Sequence, residues 1–259
     1  MDHYSLKYVL DSFKPISLRQ MKGIKLMNRI DTKYITSKSN ILDLLVRASG
    51  EYFIQEIAGV RENQYQTLYF DTPDREMFTA HHNGKKSREK IRVRTYTDSG
   101  ISYFEIKKKD NKGRTHKTRI EADNSDFFNS VAIMDHISSH SEYDIGKLEV
   151  YLKNLFHRIT LVNKEKTERL TIDYDISFIN SKTDFCRELK DIAIIELKRD
   201  GDSFSPINDV LLEMRIHPTN FSKYCIGCLL TGQPLKYNRF KKELIKMDKL
   251  TNYRYGYTF

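Results

Sequence analysis

The spacing Glu-x-Lys occurs at Glu105-Ile106-Lys107 and again at Glu196-Leu197-Lys198, each time inside an otherwise apolar run. On a β-strand, residues two apart share a face. Each pair would therefore present a carboxylate and an ammonium together, while Phe104 and Ile106, or Ile195 and Leu197, point the other way. The arrangement recurs with Arg92 and Arg94 against Ile91 and Val93, with Lys117 and Arg119 against Thr118 and Ile120, and with Arg169, Thr171 and Asp173 against Leu170 and Ile172. Arg forks and Lys point charges neutralise phosphate oxygens at close range, and carboxylates join phosphate oxygens around magnesium-like ions. The chemistry to expect is the binding of a polyphosphate or nucleoside triphosphate with a divalent metal. An antiparallel sheet with one wet face accounts equally well for any single strand. The acid-plus-base pair, recurring on separate strands between apolar neighbours, favours a shared charged interior instead.

The elements that must position these side chains follow from periodicity. A period of two predicts strands over Gln66 to Asp71, Arg88 to Thr97, Ile101 to Lys107, His116 to Glu121, Phe156 to Val162, Arg169 to Phe178 and Ile192 to Lys198. Asp98-Ser99-Gly100 and Asn111-Lys112-Gly113 read as tight turns, which makes the neighbouring strands antiparallel. Helices are expected from Ser39 to Ala48, from about Ser125 to Ser138, from Pro206 after the cap Ser205 towards Pro218, and from the cap Ser222 to Gly232. The expected fold class is α+β: a closed antiparallel β-barrel, in effect a tunnel, with flanking helices. Closure would place the charged faces inside and remove the sheet edges.

Composition bounds the rest. With 259 residues and 39% hydrophobic content, one large domain over 1–259 is the simplest organisation, and Pro and Gly are too sparse to mark a linker. The 44 Lys and Arg against 35 Asp and Glu, net +9, point to an anionic partner. No run of about 18 apolar residues occurs, and Met1 to Leu18 lacks the pattern of a signal peptide, so a cytoplasmic, soluble protein is expected. Three cysteines, with Cys225 and Cys228 in one expected helix, do not make a disulfide framework, and core packing is expected for that pair.

The run Arg29-Ile30-Asp31-Thr32-Lys33-Tyr34, then Leu68-Tyr69-Phe70-Asp71-Thr72, Arg92-Val93-Arg94, Glu105-Ile106-Lys107, Lys117-Thr118-Arg119, Glu196-Leu197-Lys198 and Ser222-Lys223-Tyr224 closely resembles the VTC domain. That domain is the polyphosphate polymerase module of the yeast vacuolar transporter chaperone complex and of many bacterial proteins. It belongs to the triphosphate tunnel metalloenzyme superfamily, with the CYTH phosphatases and metal-dependent RNA triphosphatases. The resemblance covers about residues 20–232 in the family's order, leaving 233–259 as a tail. It implies a metal-dependent phosphotransferase with Lys33, Arg92, Arg94, Lys107 and Lys198 as catalytic residues, and with Lys117, Arg119, Arg158, Arg169 and Lys223 holding phosphate. Glu196 would be the principal ligand of Mn2+ or Mg2+, with Glu105 a second. The implied partners are ATP or another nucleoside triphosphate and polyphosphate. A separately encoded membrane partner, and with it peripheral attachment to a membrane, stays open. CYTH-type members carry Glu-x-Glu-x-Lys on the first strand, where this chain has Arg29-Ile30-Asp31-Thr32-Lys33. One carboxylate fewer favours the VTC branch over the hydrolases.

Polyphosphate synthesis from ATP is the leading expectation. A triphosphatase acting on inorganic or RNA triphosphate and a non-catalytic polyphosphate-binding module are the alternatives. General nucleic-acid binding ranks last, because only Tyr96 and Tyr103 offer themselves for stacking bases. His81 and His82 fall in an expected loop and are not read as metal ligands, His157 is expected on the face opposite Arg158, and Lys108 reads as a solvated outer charge. Arg239, Lys241 and Lys242, with Tyr253, Tyr255, Tyr257 and Phe259, form either a docking surface or a disordered end.

Overall fold

Alternation of β-branched or aromatic residues with charged ones suits a pleated surface with one apolar side, and most of this chain folds on that plan. The computed structural model describes residues 3–22, 24, 29–122, 127–201, 203–232 and 235–255. Its 12-stranded sheet comprises β1 (Lys14–Ser17), β2 (Arg29–Ser37), β3 (Tyr52–Glu56), β4 (Glu62–Asp71), β5 (Arg88–Tyr96), β6 (Ile101–Lys109), β7 (Thr115–Ala122), β8 (Glu149–Asn163), β9 (Glu168–Asn180), β10 (Cys186–Leu189), β11 (Ile192–Asp200) and β12 (Pro218–Thr219). The helices are α1 (His3–Ser12), α2 (Leu18–Lys22), α3 (Asn40–Ala48), α4 (Glu76–His82), α5 (Val131–His140), α6 (Pro206–Glu213), α7 (Lys223–Thr231) and α8 (Lys241–Thr251). Among the described residues no helix is long and apolar enough to cross a membrane.

The main ladder runs β12-β2-β11-β9-β8-β4-β5-β6-β7, with β10 on β9 and with β3 joining β8 to β1. Every pairing except β1 with β3 is antiparallel. Both expected turns are present: Gly100 (φ 69°) donates to the Tyr96 carbonyl at 2.9 Å, and Gly113 (φ 85°) to that of Asp110 at 3.1 Å.

The expected barrel is not closed by hydrogen bonds, because β7 and β12 end the ladder without pairing each other. The reason lies in β12, which is two residues long and begins with a proline that has no N–H to donate. The sheet is instead a curled trough whose sides come within charge range, so that Lys107 on β6 feels Glu196 on β11 and Lys33 on β2.

Helices pack on both sides of the trough. On the convex side α1, α3 and α6 bury Leu170, Ile172, Ile195 and Leu197, and α5 covers Ile91, Val93, Phe104 and Ile106. On the concave side α7 and α8 fill one end against Ile35, Ile194, Tyr69 and Phe178. Three of the expected helices begin where their caps are, while the fourth, α5, starts after the cap Ser130, whose hydroxyl accepts from the Ile133 amide. Part of that expectation, Ser125 and Asp126, lies outside the described residues. The tail folds back rather than projecting: Leu244, Met247 and Tyr255 are buried. Tyr257 and Phe259 lie outside the described residues.

Seating α7 inside the trough requires Gly227, where an added Cβ would stand 2.4 Å from Leu152 Cδ2 and 2.6 Å from Phe178 Cδ1. Overpacking of that kind costs about 1–3 kcal/mol. Gly227→Ala is therefore expected to lower the urea midpoint without changing the slope of the transition. A wild-type midpoint would mean that α7 does not press on β8 and β9.

Candidate functional site

The alternation rule brings the charged side chains to the concave face, at the end of the trough that α7 and α8 leave open. Strand β5 supplies Arg92 and Arg94 while Ile91 and Val93 are buried behind it, and β6 supplies Glu105 and Lys107 against buried Phe104 and Ile106. Across the trough, β11 supplies Glu196 and Lys198, opposite Lys33 and Asp31 of β2. Arg158 comes from β8, Asp173 and Arg169 from β9, and Lys223 from the first turn of α7.

Three carboxylates anchor part of this set. Glu105, fully buried, pairs one oxygen with Arg92 at 2.7 Å and the other with Lys117. Asp173 takes a forked pair from Arg158 at 2.5 and 2.7 Å and is also bound by Lys223. Glu196 holds Lys198 at 2.5 Å. Burial alone would raise these carboxyls, but the cations outweigh it: Arg92, Arg94 and Lys117 hold Glu105 at about 2, Arg158 and Lys223 hold Asp173 at about 2, and Lys198 with Lys33 keeps Glu196 well below the usual range.

The remaining cations have no carboxylate of their own. Lys33 donates to the Phe221 carbonyl at 2.7 Å and Lys90 to the Ser222 hydroxyl at 3.0 Å. Arg94 lies 5.8 Å from the Tyr65 ring centroid, and its buried Nε has no hydrogen-bond partner. Tyr65 stacks on Phe156 at 5.2 Å, and the Arg158 guanidinium lies over both rings. Burial pulls the ammonium groups down, Lys90 and Lys223 to about 7 and Lys117 and Lys198 to about 8. Cations thus outnumber carboxylates in a partly dry chamber, an arrangement that an anionic ligand would relieve.

One residue named from the sequence stands apart from this centre: Arg119 sits at the exposed edge of the trough, 4.4 Å over the Tyr103 ring. Arg169 stands opposite Lys198, within charge range of Arg158, Glu196 and Asp31, and with Arg29, Met21 and Ile24 it borders a cavity of about 120 Å³. Two others were missed. Lys90 lies two residues before Arg92 and continues its face. Asp31 lies two before Lys33, pairs with Arg29 at 2.7 Å and acts on both Lys107 and Lys198.

Among the described residues no group of three or more His, Cys, Asp or Glu side chains converges on a metal position. Magnesium-like ions are commonly held by one or two carboxylates and by substrate phosphates. Glu196 and Asp31, both within charge range of Lys198 and Lys107, fit that smaller requirement. His82 is buried against Phe78 and Phe240, and Cys225 and Cys228 are core residues. His81 and His82 lie in α4 rather than in the expected loop.

The family model described as the VTC domain matches residues 28–231. Comparison with curated proteins gives no match. Among solved structures, a candidate adenylate cyclase from Bacillus halodurans is 16% identical, with a TM-score of 0.51 over 83% of this chain and 99% of that one. A candidate adenylyl cyclase from Hippeastrum, a protein with a dominant triphosphatase activity, is 16% identical, with a TM-score of 0.49 over 80% of this chain and 99% of that one. The first likeness is one of fold alone. The family match spans most of the chain and includes the strands that carry the anchored cations, and the protein belongs to the VTC domain family.

Proposed function

We propose that the trough binds the phosphoryl chain of a nucleoside triphosphate or of polyphosphate together with a divalent metal, and that it transfers phosphoryl groups, making polyphosphate from ATP. The observation that carries this reading is the surplus of cations over carboxylates on one partly buried face. Arg92, Arg158, Lys117, Lys198 and Lys223 are fixed by their carboxylates and so keep a set geometry. Lys33, Lys107 and Arg94, which have no carboxylate of their own, are available to phosphate oxygens. Glu105 has both oxygens engaged and serves as an anchor. Glu196, with Asp31, is the carboxylate offered to Mn2+ or Mg2+. The metal, when bound, would help neutralise charge on the phosphoryl oxygens.

Phosphoryl transfer needs positioning and charge neutralisation and no covalent intermediate on the protein. Aligning the chain falls to Arg92 and Arg158, whose guanidinium planes are fixed by Glu105 and by Asp173 with the Tyr65 and Phe156 rings. Arg94 and Lys107 would meet the charge that develops during transfer. The rims of the trough would close over the ligand, completing in the bound form the tunnel that hydrogen bonds leave open. No association with a membrane is needed for these steps.

Incubation of the protein with ATP and manganese is expected to yield long polyphosphate on a gel. Release of orthophosphate alone would reassign it as a triphosphatase. Arg94→Ala is expected to lower the rate by roughly 10²–10³-fold, as for removal of one transition-state donor, with little loss of stability because burial and its repulsion with Arg92 and Arg158 disfavour the Arg94 charge in the ligand-free protein.

The depressed lysines set the pH behaviour. Their folded values lie below the ordinary 10.5, so above about pH 7 the unfolded chain binds more protons, and the ligand-free protein is expected to gain stability between about pH 7 and 10. An anion favours the protonated forms, so its affinity moves the other way. Tripolyphosphate binding should weaken from pH 7 to 9 and take up protons at pH 8. Calorimetry in two buffers of different ionisation enthalpy reads that uptake, and identical heats would contradict it.

A further inference from the structure

At the open end of the trough the cations give way to rings. Phe156, Tyr65 and Tyr96 stand in cross-strand register on β8, β4 and β5, and Tyr103 stands opposite Arg94 on β6. The centroids follow one another at 5.2 Å from Phe156 to Tyr65, 5.1 Å from Tyr65 to Tyr96 and 6.0 Å from Tyr96 to Tyr103, the last pair edge to face. Phe156 and Tyr65 are buried, whereas Tyr96 and Tyr103 are half-buried, and Ile101, directly opposite Tyr96, is 41% exposed. Apolar surface therefore reaches solvent at the mouth, beside the charged face.

Arg119 completes this mouth for a reason that lies in Glu105. The two stand opposite each other on β7 and β6, where an ion pair would be favourable. Both oxygens of Glu105 are already taken, by Arg92 and by Lys117. The Arg119 guanidinium lies instead 4.4 Å over the ring of Tyr103, its diagonal neighbour, and among the described residues no carboxylate pairs with it. Arg119 is exposed, so the outer side of its plane is open. A planar cation seated on an aromatic ring is a surface on which a nucleobase stacks.

Spacing decides what can occupy it. Tyr103 is the cross-strand neighbour of Arg94 and lies two steps, about 14 Å, along β6 from Lys107. Arg94 and Lys107 are cations without a carboxylate of their own. A ligand that spans these positions carries phosphoryl groups at one end and an aromatic group at the other, as an extended nucleoside triphosphate does and an inorganic polyphosphate does not. Further along the row the rings are buried, which leaves room for one base rather than for a strand.

We infer that Tyr103, with Arg119 and Tyr96, forms a nucleobase subsite at the open end of the trough, which makes a nucleoside triphosphate the preferred phosphoryl donor and holds it with its terminal phosphoryl group inward. This rests on the reading above that the trough binds phosphoryl chains. The test titrates the full chain calorimetrically with ATP and with tripolyphosphate in one magnesium buffer, comparing wild type with Y103L, Y103F and R119K. Y103L is expected to bind ATP about tenfold more weakly, as for loss of one stacked ring, and tripolyphosphate within about twofold of wild type. Y103F keeps the ring and is expected to match wild type for both ligands. R119K keeps the charge but not the plane and is expected to weaken ATP alone, by about threefold. Should Y103L fail to fold, R119K reads the same two ligands. Parallel loss of ATP and tripolyphosphate in either variant, or unchanged ATP affinity in both, would overturn the subsite while leaving the trough reading intact. Failure of wild type to bind either ligand would remove both.

Discussion

A group of cations held close together away from bulk water is the constraint on which this structure turns. Each ammonium or guanidinium in the trough loses hydration, and neighbours of the same sign add repulsion. Glu105, Asp173 and Glu196 offset part of that cost by pairing with Arg92 and Lys117, with Arg158 and Lys223, and with Lys198. The compensation is incomplete, as the depressed Lys90, Lys107, Arg94 and Arg169 show. A fold optimised only for stability would place another acid among them or remove some of them. Keeping the excess makes sense where a ligand supplies the missing negative charge.

Holding such a group in place demands rigid surroundings, and the apolar halves of the same strands provide them. Ile91, Val93, Leu170, Ile172, Ile195 and Leu197 are all nearly inaccessible to solvent, so the faces that oppose the charged ones are clamped under α3, α5 and α6. The N-terminus of α7 is held from the other side. Asp71, fully buried, accepts the Thr72, Met77 and Phe78 amides at 2.8, 2.9 and 3.0 Å and also binds the Tyr224 hydroxyl. One carboxylate thereby starts α4 and fixes the first turn of α7, which sets Ser222 beside Lys90 and Lys223 beside Asp173.

Period two is unambiguous where a strand is buried on one side, which is why the pairings of Arg92 with Arg94, Glu105 with Lys107 and Glu196 with Lys198 were legible before any coordinates. The same rule extends to Lys90, which needed only one more step back along β5. Asp31 was harder to see, because the Arg29 to Lys33 run draws attention to the carboxylate it lacks rather than to the one it keeps. What the residues do not encode locally is closure. Whether two edge strands meet depends on how far a sheet curls and on what its last strand offers, and a two-residue strand starting at Pro218 leaves no periodic trace. Helix α8 escaped for a related reason. Its buried Leu244 and Met247 are diluted by lysines, and its helical state follows from the concave surface it covers.

The open seam and the cation surplus are two aspects of one balance. Lys33 on β2 and Lys107 on β6 stand on opposite sides of the trough, and Lys107 is lowered by burial and then by Lys33, so like charges face each other where a barrel would need its sides to join. Hydrogen bonds between β7 and β12 would have to overcome that repulsion with almost no ladder to do so. Glu196 lies between the two sides and attracts both lysines, which holds the curl without closing it. A bound polyanion would add attraction at the same place, acting on both rims at once, and so the contact that completes the enclosure would come from the ligand rather than from the sheet.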